Sequence, residues 1–264
     1  MMTFQNKIPK GLIIAAPNSG AGKTTVMLGL CKALSRQGIK VKPFKNGPDY
    51  IDPAFHKLAT GESSGNLDSW AMSESAILGE ILASRSDLVL LEGSMGFFDG
   101  VAKSGSFGTG TTADLARLTG WPVILVLNVS GQAQSAAAVA TGFSNYDPSV
   151  KLAGVILNNV ASPRHQALIE NGMAYAGVNV LGSLPRNIDL ELPERHLGLI
   201  QAQEISNLNS ILEKLSDFII KNSNLDAILE SAASKSETFS PEKTHFLRPP
   251  GQRVAISKDK AFTF

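Results

Sequence analysis

A chain of 264 residues, 43% hydrophobic and 18% charged, suits one large α/β domain with room for the start of another. Its 24 basic and 23 acidic side chains nearly cancel, which gives no electrostatic footprint for nucleic acid or an anionic membrane, and no apolar run is long enough to span a bilayer. Cys31 is the single cysteine, which excludes an internal disulfide and a cysteine-rich zinc site.

Without a signal-peptide core ahead of the first strand, a reducing, cytoplasmic setting is expected. Residues 11–15 form an apolar run that reads as a strand. The loop Ala16-Pro17-Asn18-Ser19-Gly20-Ala21-Gly22-Lys23-Thr24-Thr25 follows, and residues 26–34 have the spacing of a helix. Strand, glycine loop and helix are the context of a phosphate-binding loop. Gly20 and Gly22 let successive backbone N–H groups turn toward phosphate oxygens, and the helix adds its positive end. Lys23 is placed for the β- and γ-phosphates and Thr24 for Mg²⁺. Pro17 stands where the full pattern has glycine. Cys31 falls on the apolar face of this helix, as a buried structural thiol does.

Residues 39–44 read as a second strand, leading into Lys45-Asn46-Gly47-Pro48-Asp49-Tyr50-Ile51-Asp52-Pro53, a loop dense in turn formers and charge. A helix is predicted over 74–84, then a buried strand over 87–91 that ends in Glu92-Gly93. The glycine-rich stretch 94–110 has no evident regular structure and reads as a functional lid or mobile segment. Helices over 111–118, 132–143 and 164–176 alternate with strands over 123–127, 152–157 and 178–184. This alternation predicts right-handed βαβ units and an α/β fold with a mostly parallel sheet flanked by helices. A charged loop over 186–199 precedes a long amphipathic helix carrying Ile205, Leu208, Leu212, Leu215 and Ile219, expected to pack on the sheet. Residues 231–250 have a linker's composition, and 252–257 look like the first strand of a new unit.

The acids narrow the chemistry. Glu92 follows a buried strand at the sheet edge where ligands of open α/β sheets bind, and Asp49 and Asp52 follow another. Hard oxygens around Thr24 suit Mg²⁺, although Asp52 before Pro53 also suits a helix cap and Glu92 a lysine partner. Lys45 can approach the γ-phosphate from the side opposite Lys23, or be a solvated surface lysine. The four histidines show no metal-ligand spacing. His196 stands out in a charged loop suited to an anionic substrate.

Four blocks in combination resemble the cobyrinic acid a,c-diamide synthases: residues 16–25; residues 44–53, with Gly-Pro-Asp-Tyr-Ile-Asp-Pro; Glu92-Gly93 with Phe98-Asp99-Gly100; and Leu184-Pro185-Arg186 through Leu-Pro-Glu-Arg-His-Leu-Gly-Leu at 192–199. The resemblance covers nearly the whole chain. It implies a P-loop NTPase-like fold similar to dethiobiotin synthetase, compatible with Pro17. It also implies an ATP-dependent synthetase domain at 1–230, a linker at 231–251, and at 252–264 the opening of a glutamine amidotransferase-like domain whose glutaminase cysteine lies beyond the last residue. The implied reaction is ATP-dependent amidation of the a and c carboxylates of cobyrinate or hydrogenobyrinate through an acyl phosphate, with ammonia drawn from glutamine.

On that resemblance Ser19, Gly20, Ala21, Gly22, Lys23, Thr24 and Thr25 hold the phosphates, while Thr24, Asp49 and Glu92 hold Mg²⁺. Tyr50, Asp52 and Asp99 orient the substrate carboxylate, ammonia or the phosphorylated intermediate. Asn158 or Asn159 reads adenine, with Pro185 bordering that pocket. Cobalt-bearing and cobalt-free substrates stay open, as do monomer and homodimer. Rival readings are cobyric acid synthase, a nickel-sirohydrochlorin a,c-diamide synthase or dethiobiotin synthetase. A partition-type regulatory ATPase is a rival of another class; its signature lysine would stand where this chain has Asn18.

Overall fold

The apolar runs become the interior strands of a parallel sheet. The computed structural model describes residues 5–187, 202, 205, 207–238 and 250–255. β2 (Gly11–Ala15) is the central strand. After it come α1 (Lys23–Arg36), β3 (Val41–Asn46), α2 (Asp52–Thr60), β4 (Gly65–Leu67), α3 (Glu74–Leu82), β5 (Leu88–Glu92) and α4 (Thr112–Thr119). The second half adds β6 (Val123–Asn128), α5 (Ser135–Tyr146), β7 (Leu152–Val160), α6 (Pro163–Tyr175), β8 (Val180–Pro185), α7 (Leu208–Asn222) and α8 (Leu225–Ser231). Seven strands lie in the order β4-β3-β5-β2-β6-β7-β8, every neighbouring pair parallel.

Alternation along each strand divides the core between the two faces. Leu12, Ile14, Leu90, Ile124 and Val126 join α1, α2, α7 and α8 on one side. Ile13, Ala15, Val89 and Leu91 join α3 and α4 on the other, and Leu125 and Leu127 pack with α5 and α6 there. Both faces being covered explains why these strands read as continuous hydrophobic runs. Among the described residues α1 packs most extensively on α7. A Cβ on Gly29 would lie 2.4 Å from Ile219 Cγ1, so the missing side chain sets their approach, and Lys32–Glu213 and Arg36–Asp217 pairs at 3.0 and 2.6 Å border it. Cys31 is fully buried in this layer, and burial, with the Glu92 charge, pushes its thiol up and away from nucleophilic reactivity.

Several expectations change in detail. The amphipathic helix begins at Leu208, which leaves Ile205 outside it but packed on the core. Within the expected linker, β9 (Ser236–Thr238) pairs antiparallel with β1 (Gln5–Lys7). Residues 252–255 have no regular structure, and no neighbouring strand is described for them to pair with. The charged loop from 188, with His196, lies outside the described residues, as do 239–249 and 256–264. Among the described residues no helix is long and apolar enough to cross a membrane.

Candidate functional site

At the carboxyl end of β2 the chain turns through residues 16–22 into α1. Gly22 caps that helix at φ +101°, a left-handed conformation that L side chains avoid. A Cβ there would also lie 2.2 Å from the Asn158 amide nitrogen, which donates to the Ala21 carbonyl at 3.0 Å. Asn158 therefore fastens the loop to the end of β7. The Lys23 ammonium donates to the Asn18 carbonyl at 3.2 Å and to the Met95 carbonyl at 2.6 Å, so it spans from its own loop to the one after β5. Burial lowers its pKa, and the Lys45 charge acts in the same direction against the Glu92, Asp52 and Asp99 carboxylates.

Sheet register assembles the charged cluster. Lys45 of β3 is the lateral partner of Glu92 of β5, and Glu92 is also the partner of Ile14 in β2. Their side chains thus emerge together beside the phosphate loop. Thr24 donates its hydroxyl to Glu92 Oε1 at 2.6 Å, the Lys45 ammonium lies 3.2 Å from that same oxygen, and Asp52 Oδ2 approaches the ammonium to 2.5 Å. Glu92 is completely buried. Burial alone would raise its pKa, but Lys45, His56 and Thr24 outweigh it and hold the carboxyl well below the usual range.

Asp52 has fewer donors. Burial and the Glu92 charge push it up to about 6 despite Lys45. One lysine between two carboxylates leaves the proton with the acid that has fewer hydrogen-bond donors, and that acid is Asp52. Burial would lower the Lys45 pKa, but the Glu92 and Asp52 carboxylates raise it.

His56 is the residue the spacing argument passed over. It lies on the buried face of α2 with Nε2 2.6 Å from Glu92 Oε2 and Nδ1 3.1 Å from the Ser64 hydroxyl. Since an ionised carboxylate only accepts, Nε2 carries the proton. With Thr24 and Lys45 on Oε1, both oxygens of Glu92 are fixed. One signal was available: His56 stands four residues after Asp52, on the same helical face.

The remaining candidates sit around this cluster. Asp49 accepts from the backbone N–H groups of Ile51 and Asp52 at 2.8 and 3.4 Å. It thereby shapes the turn into α2, the capping role considered for Asp52, and its charge reaches Lys45 and Asp52. Asp99 accepts from Gly96 N–H at 3.0 Å. Tyr50 is 38% exposed at the rim, as are Ser19 and Gly20 in the loop, and Thr25 is half-buried in the first turn of α1. Asn159 has a positive φ of 64° and donates to Asn128 Oδ1 at 3.2 Å, while Pro185 lies exposed at the end of β8, in register with Val160.

The stretch read as a lid is a hydrogen-bonded wall. Asp114 accepts from the Ser69 hydroxyl at 2.8 Å and from the N–H groups of Thr109 and Thr111 at 2.9 and 3.2 Å. Phe107 and Gly108 donate to the Ser69 carbonyl at 3.0 and 2.8 Å. Asn46 donates to the Gly110 carbonyl at 3.1 Å and to Thr112 at 3.0 Å, tying the wall to the end of β3. A separate open groove of about 1090 Å³ runs along β8 between α6 and the α7–α8 turn; it contains none of the clustered residues.

Among the described residues no set of three or more His, Cys, Asp or Glu side chains forms a metal cage. The Thr24 hydroxyl and the Glu92 carboxylate are hard oxygen donors in contact, a set suited to Mg²⁺, which usually takes few protein ligands and completes its shell with phosphate and water.

The chain is 53% identical over 259 residues to the hydrogenobyrinate a,c-diamide synthase of Rhodobacter capsulatus and 49% identical over 260 residues to that of Mesorhizobium japonicum. Each match covers 97% of this chain and 58% of the relative, so the chain spans little more than half the length of these proteins. Among solved structures, a ParA family ATPase from Chlorobium tepidum superposes with a TM-score of 0.47 at 16% identity, covering 81% of this chain and 96% of the other. Residues 12–200 match the model of the CobQ/CobB/MinD/ParA nucleotide binding domain, and they include the phosphate loop, Lys45, Asp52, His56 and Glu92. The chain belongs to that nucleotide-binding domain family.

Proposed function

We propose that this chain is the ATP-using part of an amide synthase that amidates the a and c carboxylates of hydrogenobyrinate, or of cobyrinate, in cobalamin biosynthesis. The observation that carries this reading is the joining of a phosphate loop to a buried acid–lysine cluster, Thr24–Glu92 at 2.6 Å and Lys45–Asp52 at 2.5 Å, in a chain 53% identical to a named hydrogenobyrinate a,c-diamide synthase. A carboxylate accepts ammonia only after one of its oxygens becomes a leaving group. In the proposed reaction a substrate carboxylate oxygen attacks the γ-phosphorus of ATP and ADP departs. The nitrogen of ammonia then attacks the acyl carbon, phosphate departs, and the nitrogen releases a proton.

Lys23 and Lys45, on opposite sides of the transferring group, stabilise charge that spreads over its equatorial oxygens. Backbone N–H groups of residues 19–25 cradle the triphosphate. Thr24 and Glu92, with Asp49 as a third candidate, would hold Mg²⁺, which would supply positive charge against the triphosphate. His56 keeps Glu92 oriented. Asp52, Tyr50 and Asp99 orient the substrate carboxylate and ammonia. Asn158, Asn159 and Pro185 border the adenine. Residues 1–230 are the synthetase unit and 231–251 a linker that first returns to it through the β9–β1 pairing; 252–264 open an amidotransferase-like unit that supplies ammonia from glutamine in the cytoplasm. Phosphate release from ATP, measured with ammonium and each of hydrogenobyrinate, cobyrinate and sirohydrochlorin, tests the reading. Release should require a corrinoid acid and vanish in Lys23→Ala. ATP hydrolysis indifferent to every such acid contradicts it.

A further inference from the structure

Among the described residues, four exposed large apolar side chains come from loops at one edge of the sheet. Tyr50 (38% exposed), Trp70 (50%), Met95 (62%) and Val101 (53%) all come from loops that follow β3, β4 and β5, adjacent strands on the side of the sheet next to β2. Leu58, Tyr146, Tyr175 and Ile220, also exposed, are each on a different helix, and Val254 lies in the irregular segment 250–255. The loop patch borders the charged cluster directly, since the Met95 carbonyl accepts from Lys23 and Tyr50 stands two residues before Asp52.

Trp70 is held while half of it faces water. Its indole N–H donates to the Lys103 carbonyl at 3.2 Å and its backbone N–H to Asp68 at 2.9 Å, and its carbonyl accepts from Ser106 at 2.7 Å. Gly105 packs so closely that a Cβ there would lie 1.9 Å from the Trp70 carbonyl oxygen. A ring fixed in this way loses little rotamer freedom when something settles on it, and its face is apolar and polarisable.

We infer that Trp70, with Tyr50, Met95 and Val101 on loops at the same sheet edge, is a platform for the flat apolar face of a carboxylated tetrapyrrole-type macrocycle, with a peripheral carboxylate of that ring reaching toward Lys45 and the phosphate loop. This rests on the substrate class proposed above. A short acid with no ring would leave such a surface uncovered. A macrocycle covers apolar side chains with one face and presents acids at its edge, which matches exposed apolar side chains on the same loops that lead to the charged cluster.

Equilibrium binding of hydrogenobyrinate, measured by calorimetry with a non-hydrolysable ATP analogue present, tests the platform. Stacking on an aromatic face is lost in Trp70→Ala, so the Kd should rise about tenfold or more, whereas Trp70→Phe keeps a face and should stay within about threefold. Affinity for the ATP analogue alone should be unchanged in both variants. Wild-type affinity for hydrogenobyrinate in Trp70→Ala overturns the platform, as does a parallel loss of nucleotide affinity, which would make the ring only a brace for the wall. Should Trp70→Ala fail to fold, Val101→Gln at the exposed border decides: a Kd raised at least about threefold supports the platform and an unchanged Kd overturns it. Failure of the underlying reading looks different, because the wild-type chain would then bind the ATP analogue but not hydrogenobyrinate.

Discussion

Replacing Lys45 by methionine isolates the electrostatics of the site, because methionine fills much the same volume and leaves two buried carboxylates without their shared cation. Lys45 lies 2.5 Å from Asp52 and 3.2 Å from Glu92, with its side chain only 6% exposed. Removing one partner of such a buried pair costs about 3–5 kcal/mol. Glu92 retains Thr24 and His56 as donors, so the deficit falls mainly on Asp52, already pushed up to about 6 in the native protein. A carboxyl whose folded pKa lies above its unfolded value of about 3.9 burdens the fold above the folded pKa, and the burden disappears as pH falls through it. Lys45→Met should therefore lose about 3 kcal/mol relative to wild type at pH 8 and about 1 kcal/mol or less at pH 5. Urea unfolding of both proteins at the two pH values measures this. A deficit equal at both values, or none at pH 8, would refute the shared-cation account.

Three further outcomes follow from named contacts. His56→Ala strips the donor from Glu92 Oε2 and should weaken Mg²⁺-dependent nucleotide binding about tenfold, with His56→Gln recovering part of it, as read by titrating Mg²⁺ against a fluorescent ATP analogue. Gly22→Ala forces a Cβ onto Asn158 at a φ of +101°; we expect nucleotide affinity to fall at least tenfold with a loss of about 1–3 kcal/mol in stability, measured by calorimetry and urea unfolding. Asp114→Asn removes the negative charge and one of the two oxygens that accept from Arg117 on one side and from Ser69, Thr109 and Thr111 on the other, and should cost about 1–3 kcal/mol at pH 7. Although burial opposes it, those donors and Arg117 hold the Asp114 pKa below its ordinary value. The contribution is thus complete above the unfolded pKa and fades as pH falls through the folded one, so the variant should approach wild type in acid.

What could be read in advance follows from the range of the forces involved. The phosphate loop is a local pattern of glycines, Lys23 and Thr24 between an apolar run and a helical one, and the interior strands announce themselves because both faces are buried. Lys45 and Glu92 were each visible as charged residues after strands, but their contact depends on the lateral register of β3 against β5, which no local pattern specifies. His56 was hidden for the same reason: its role depends on where α2 meets β5. β1, β4 and β9, at three residues each, are too short to show a period. The 94–110 stretch looked free because its order comes from Ser69, Asn46 and Asp114, side chains outside it.

In the proposed reaction ATP activates a substrate carboxylate by phosphorylating it. Hydrogenobyrinate labelled with ¹⁸O in its carboxylates, incubated with ATP, Mg²⁺ and ammonium, tests this through the phosphate produced. Transfer of one ¹⁸O into phosphate for each amide formed is the predicted result. Unlabelled phosphate accompanying amide formation would contradict the acyl phosphate.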